Sequence, residues 1–314
     1  MRGIESTVED EAARAGWLYY VGRMTQDQIA TELGVSRQRA QRLVSKAMAE
    51  GLIHVRLEHR IAGCVALEAE LARRFDLRLA RVAPDLGPGI DQSRAIAPVA
   101  AAVAERYLAS PEPVTVALGT GRALRAMVEE MTNVDGEQHK LVSLIGNIAP
   151  DGTATNYDVI MRVAEKVRAP HYPMPLPVIL ESPEVRRMFY ALPQVQIVAQ
   201  LVERADLTLV GVGQMNAAAP IYVDGFISQR ELLELQQAGA MGEIASWVFD
   251  SDGTYLDVAH NDRIGGLRAG GRPGGLVVGV ASGEVKLPAI RAALKGRILN
   301  GLITGEQTAR ALLD

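Results

Sequence analysis

Apolar residues along this chain follow two different periods. In the first fifty residues they recur every three or four positions, the spacing of amphipathic helices. From residue 114 onward they gather into short continuous runs, each closed by a small residue or glycine. The segment 12–21 (AARAGWLYYV) predicts a helix that turns Trp17, Leu18 and Val21 inward. Ile29, Ala30 and Leu33 make the inward face of a second helix, with Thr25 and Gln28 spaced as a capping box at its start. Gly34 supplies a tight turn that needs φ > 0, Val35 plugs the corner, and Ser36 caps a third helix. Ala40, Leu43, Val44 and Ala47 give that third helix its apolar stripe, and Ala30 and Ala40 are small where the two helices cross.

Beyond the helices, residues 51–57 (GLIHVRL) alternate like a strand and predict a small wing. The segment 65–75 (VALEAELARRF) has helical spacing; it either links two domains and pairs with its twin, or is the first surface helix of a larger domain. A loop follows at Pro84–Pro88. Four strand-like runs then end in turns: Val114–Leu118 into Gly119, Leu141–Ile145 into Gly146, Leu207–Val212 into Gly213, and Leu276–Ala281 into Ser282-Gly283. Helical sequence follows each run. Such alternation predicts an α/β, doubly wound, mostly parallel sheet with helices on both faces. All four turns fall on the carboxyl edge of that sheet, where ligands bind in this architecture.

The polar face of the third helix adds chemistry to this layout. Ser36, Arg37, Gln38, Arg39, Gln41, Arg42 and Lys46 suit double-stranded DNA, because Arg and Gln reach guanine and adenine edges in the major groove. Between Gly34 and Arg60 six basic residues stand against two acidic ones, the local excess that phosphate contacts require. An ordinary solvated helical hairpin is the plain alternative. The whole chain, 314 residues with a net charge of −4 and 48% hydrophobic content, has ample material for a core and concentrates its basic charge in this head. A helix-turn-helix domain over residues 1–60 and a larger domain over 61–314 is the expected division. A single cysteine, Cys64, excludes an internal disulfide and suits the cytoplasm. The acidic start of the chain is not expected to be a signal peptide, and no apolar run reaches the length of a membrane helix.

The sharpest element of the large domain is Gly119-Thr120-Gly121-Arg122, a strand running through a glycine turn into a helix. Free backbone N–H groups at a helix start attract anions, Thr120 adds a hydroxyl and Arg122 a forked cation. A tight turn with a solvated arginine is the alternative. Lys286, after Ser282-Gly283, is expected at the same sheet edge, or is a surface lysine. Glu243 and Asp250 are either acceptors for ligand hydroxyls or loop and cap residues, and Asn261 and Asp262 are weaker candidates of the same kind. The five histidines lack metal-ligand spacing, residues 279–283 are no nucleophile elbow, and neither metal nor cofactor is expected.

Taken together these motifs resemble the SorC/DeoR-type family of bacterial sugar-sensing transcriptional regulators. The resemblance spans WLYY (17–20) with MTQDQIA (24–30), GTGR (119–122), ADLTLVGVG (205–213), GAMGEI (239–244), FD (249–250) and the tail from Leu302, which also reads as a helix boxed by Thr304 and Gln307. It implies a large domain like the ribose-5-phosphate isomerase and glucosamine-6-phosphate deaminase fold, used as a sensor for a phosphorylated sugar or related small carbohydrate. It also implies dimers or tetramers on operator DNA. By motif position Gly119, Thr120, Gly121 and Arg122 carry over to the effector site, with Glu243 as acceptor and Lys286 as cation. Gly146, Asn147 and Gly213 belong to the same edge. Departures are Gly146-Asn147 and Ser282-Gly283 where relatives commonly have paired glycines, and Ile145 where some have a lysine, which speaks against a covalent imine there. The segments 156–161, 172–177 and 182–184 look most like the polyol branch. Two rivals remain: a sugar-phosphate isomerase or deaminase with an incidental helical N-terminus, and a DNA-binding protein whose large domain only oligomerises.

Overall fold

The computed structural model describes residues 7–53, 62–87, 90–146, 148–149, 152–153 and 158–314. Chain contacts divide the protein into two compact units, residues 1–59 and 60–314. Asn147 and most of the expected wing strand (His54–Leu57) lie outside the described residues.

The first unit is three helices: α1 (Val8–Tyr20), α2 (Gln26–Leu33) and α3 (Arg37–Ala49). Thr25 and Gln28 form the capping box of α2, Gly34 ends it at φ 65° and ψ 32°, and Ser36 accepts from the Arg39 N–H to cap α3. Ile29, Ala30, Ala40, Leu43, Val44 and Ala47 fill the core, joined by Ala12, Ala15 and Leu18 of α1. The expected packing of Trp17 and Val21 does not occur; they are 57% and 64% exposed. Small residues line the contact face of α1 instead. A side chain at Gly16 would meet Ile53 at 2.0 Å and Ala47 at 2.9 Å, so the helices are too close to admit an indole. Removing the cap hydroxyl by Thr25→Ala is expected to cost this unit about 1 kcal/mol. A lowered midpoint of its urea unfolding, followed by circular dichroism, would show it.

The second unit begins with α4 (Ala62–Phe75), whose Cys64, Leu67 and Leu71 are buried in the same core as the sheet. The segment packs on the larger domain, as the surface-helix expectation has it. The chain continues through β1 (Leu79–Ala83), α5 (Gln92–Leu108), β2 (Thr115–Leu118), α6 (Arg122–Glu130), β3 (Lys140–Ser143), α7 (Val159–Val167), β4 (His171–Tyr172), α8 (Pro183–Tyr190), α9 (Pro193–Glu203) and β5 (Leu207–Val210). Then come β6 (Gly213–Gln214), α10 (Pro220–Val223), α11 (Gln229–Gln237), β7 (Gly242–Ile244), β8 (Trp247–Phe249), α12 (Ala259–Asp262), β9 (Leu276–Val280), α13 (Leu287–Lys295), β10 (Gly301–Gly305) and α14 (Glu306–Leu313).

Seven strands form one sheet in the order β1-β10-β9-β5-β2-β3-β4, and every pairing is parallel. Its central strands are buried on both faces, which explains their continuous apolar runs. Helices α5, α6 and α7 cover one face; α4, α9, α13 and α14 cover the other. Strand order turns back between β2 and β5, so a crevice opens beyond their carboxyl ends. Over that crevice sits a second, antiparallel sheet, β6-β7-β8, which the sequence pattern did not separate from the main one.

The tail departs from the expected box. Thr304 is fully buried within β10, paired with Val82 of β1, and α14 starts after Gly305 with no side-chain cap. Sheet pairing claims the backbone that a capping box would have used. No helix among the described residues is long and apolar enough to cross a membrane.

Candidate functional site

On α3 the residues Ser36, Arg37, Gln38, Arg39, Gln41 and Arg42 are exposed and Lys46 is half-buried, all opposite the apolar stripe. Several are held by exposed ion pairs: Arg37 to Asp27 at 3.4 Å, Arg39 to Glu11 at 2.8 Å, and Lys46 to Glu50 at 2.9 Å. Pairs of this kind are worth little in water and yield readily to a stronger anion such as phosphate. The helix thus presents a row of long polar side chains on a rigid support.

The crevice at the strand ends holds a cavity of about 340 Å³. Thr120, Gly121, Arg122, Gly146, Gly213, Glu243 and Lys286 all line it, although 166 residues separate Thr120 from Lys286 in the chain. Gly119 lies just below, its N–H donating to the Leu209 carbonyl across the β2–β5 pairing at 2.8 Å. Gly121 starts α6 at φ 113°, a conformation that side chains rarely adopt. Arg122 follows at the first helical position and reaches Asp224 at 3.1 Å. Gly146 is glycine for a different reason: a Cβ there would lie 1.7 Å from the Leu176 carbonyl oxygen.

Glu243 stands on β7 directly opposite Gly213 of β6, where any side chain would meet its carboxylate at 2.0 Å. Its Oε2 accepts from the Ser246 N–H at 2.8 Å. That bond spans the two-residue hairpin turn Ala245-Ser246, whose φ values of 51° and 66° favour glycine or asparagine in ordinary hairpins. Ser246 is further tied by its carbonyl to the buried ring of His260 at 2.9 Å. The carboxylate therefore holds a strained turn at the cavity wall as well as lining the cavity. Lys286 closes the far side, its ammonium donating to the Val212 carbonyl at 2.8 Å.

Burial pushes the Glu243 carboxyl above the usual carboxylate range, against the Ser246 N–H and Lys286, which favour its ionised form. Burial pushes Lys286 below the usual lysine range, against the attraction of Glu243. Glu243 therefore contributes stability at low pH that is lost as pH rises through its raised value. Glu243→Gln keeps an oxygen for Ser246 and is expected to raise the Tm of the ligand-free protein at about pH 7. The gain should vanish near pH 4, where the wild-type carboxyl is itself protonated. Thermal unfolding of both proteins at the two pH values checks this; an equal gain at both would contradict it.

Asp250 does not line the cavity. Its Oδ1 accepts from the Asp252 and Thr254 N–H groups, both at 2.9 Å, so it shapes the loop after β8. Asn261 is likewise structural, bonded to both backbone groups of Val248, and Asp262 faces another cleft. The cavity also gains residues that the sequence did not single out. Asp91, which caps α5, and Asp224, beyond α10, bring its lining carboxylates to three against two cations. Gln214 donates to the Ala218 carbonyl and leaves its buried oxygen without a partner among the described residues. Asp91 had a legible signal, the cap spacing to Ser93; Asp224 had none, since 102 positions separate it from Arg122.

Residues 59–314 match the Sugar-bind family model, described as "Putative sugar-binding domain". The erythritol catabolism regulatory protein EryD of Brucella abortus (strain 2308) is 34% identical over 302 residues, covering 96% of each chain. The transcriptional regulator LsrR of Enterobacter sp. (strain 638) is 33% identical over 325 residues, covering 99% of this chain and 95% of its own. Among solved structures, the full-length sorbitol operon regulator SorC of Klebsiella pneumoniae superposes with a TM-score of 0.73 at 26% identity, covering 96% of this chain and 98% of that one. The family model covers the α/β unit alone; the two relatives and the full-length structure, all regulators, match through the helical unit as well. The chain belongs to the SorC/DeoR family of sugar-binding transcriptional regulators.

Proposed function

We propose that this regulator controls a carbohydrate or polyol catabolic operon, its operator affinity set by a phosphorylated sugar or polyol in the strand-end cavity. The observation that carries this reading is the convergence of Arg122 and Lys286, from opposite ends of the α/β unit, on one cavity beside a helix start. A phosphate there takes Arg122 from Asp224, and the hydroxyls of the ligand bond to Glu243 and its neighbours. The name of EryD, a regulator of erythritol catabolism, supports a polyol as the carbon skeleton. Residues 1–60 read DNA through Ser36, Arg37, Gln38, Arg39, Gln41, Arg42 and Lys46. Residues 61–314 sense the effector and oligomerise on an isomerase- or deaminase-like scaffold. Dimers or tetramers in the cytoplasm then place recognition helices in successive major grooves of a roughly palindromic operator.

A second reading has its own support. Three lining carboxylates against two cations favour hydroxyl groups over a dianion, and so an unphosphorylated polyol. Thermal stability against matched pairs of polyols and polyol phosphates separates the two. At about 100 times its dissociation constant the true effector adds roughly 2.7 kcal/mol. Stabilisation by the phosphorylated member alone is the expected result; stabilisation by the free polyol alone would remove the phosphate from the account.

A further inference from the structure

A second cleft of about 640 Å³ shares no lining residue with the strand-end cavity. It lies between α9, the start of β8 and the segment from Tyr255 to Gly271. Its most distinctive wall is an aromatic corner. The rings of Trp247 and Tyr255 stand 6.1 Å apart at 72°, and the guanidinium of Arg268 sits against both, 4.7 Å from one ring centre and 4.6 Å from the other.

Contacts of this kind hold the guanidinium in the corner by cation–π attraction. Among the described residues no N–H group of Arg268 has a carboxylate or carbonyl acceptor. Arg268 is exposed, so these groups point to solvent or to a ligand. Beside it the Tyr255 hydroxyl is buried and has no hydrogen-bond partner among the described residues. Buried hydroxyls are rarely left so. Arg186, by contrast, is engaged: it donates to the Ile264 carbonyl at 2.8 Å. The rest of the lining brings Glu203, Asp257 and Asp262.

We infer that this cleft is a second small-molecule site, for a hydroxycarboxylate. The carboxylate takes the guanidinium of Arg268, and the ligand's hydroxyl groups bond to the acidic residues. A planar carboxylate matches an exposed guanidinium by two parallel hydrogen bonds. Two cations, Arg186 and Arg268, stand against three acidic side chains in the lining, a balance that favours one negative charge over two. The site does not depend on what occupies the strand-end cavity.

Gluconate is a suitable probe, with inorganic phosphate as its comparison. The chain has two tryptophans, so Trp17→Phe leaves Trp247 as the only fluorescent indole, already in the cleft wall. Titration of gluconate into the full-length Trp17→Phe protein is expected to change Trp247 emission saturably, with matching heat in calorimetry. Arg268→Ala should weaken calorimetric binding about tenfold to a hundredfold. Arg268→Lys should also weaken it, since an ammonium keeps the charge but not the fork. Phosphate should bind more weakly than gluconate. Absence of saturable binding, binding unchanged in Arg268→Ala, or phosphate bound as tightly through Arg268, would each overturn the assignment.

Discussion

Lys286→Met is expected to weaken effector binding by tenfold to more than a hundredfold and to abolish the effector's influence on DNA, with ligand-free DNA binding retained. The ammonium lies at the cavity wall, anchored to the Val212 carbonyl at 2.8 Å, and it is one of only two cations there among the described residues. A hydrogen bond to a charged partner contributes about 1.5–3 kcal/mol, which sets the size of the loss. Methionine keeps the aliphatic stem and so the packing. Its effect on stability has a predictable sign. Burial holds Lys286 below the usual lysine range, so the folded protein favours the neutral amine. The associated stability is present above the ordinary lysine pKa and is lost as pH falls through the lowered value. Toward neutral pH the wild-type protein therefore carries a cost that the methionine variant lacks. Calorimetric titration with the effector, alongside Tm from neutral to alkaline pH, measures both effects. Unchanged affinity would remove Lys286 from the site.

Alanine at Arg37, Gln38, Gln41 and Arg42 together is expected to eliminate specific operator binding while leaving effector-induced stabilisation intact. These side chains project from a helix held by the Ser36 cap and the buried Ala40, Leu43, Val44 and Ala47, so truncating them disturbs neither cap nor core. Each good paired contact to a base edge is worth about 1–3 kcal/mol of discrimination. Loss of several brings affinity down to that for unrelated DNA. Single substitutions at Arg39 and Lys46 should behave differently, weakening binding to all sequences and lowering the salt dependence by about one ion each. Fluorescence anisotropy with operator and unrelated duplexes, at several salt concentrations, distinguishes the two classes. Retention of operator preference in the fourfold variant would place recognition elsewhere.

Much of this architecture was legible because local chemistry and global fold agree. The Thr25–Gln28 box, the left-handed Gly34 and the Ser36 cap are each dictated by neighbours within three or four positions, and all three formed. The four glycine-closed runs became β2, β3, β5 and β9 because strands buried on both faces must be continuously apolar. What escaped depends on contacts distant in sequence. Trp17 and Val21 have helical spacing but lie on the wrong side of α1, because Gly16 and Ala47 bring the backbones too close. Thr304 and Gln307 have box spacing, yet β1 claims Thr304 as a sheet partner. The antiparallel sheet β6-β7-β8 is built from strands of two or three residues, too short for any period to register. Asp250 and Glu243 looked equivalent as isolated carboxylates. Only the pairing of β7 with β6 brings Glu243 to the cavity and leaves Asp250 to its own loop.

The central claim, that occupancy of the strand-end cavity sets DNA affinity, is tested most directly by one titration. Labelled DNA from upstream of the operon would be titrated with the full-length protein, with and without a saturating polyol phosphate. The account predicts at least a tenfold change in the dissociation constant, corresponding to about 1.4 kcal/mol of coupling. By reciprocity, DNA should change effector affinity by the same factor. An effector that binds the protein and leaves the DNA isotherm unmoved would contradict it.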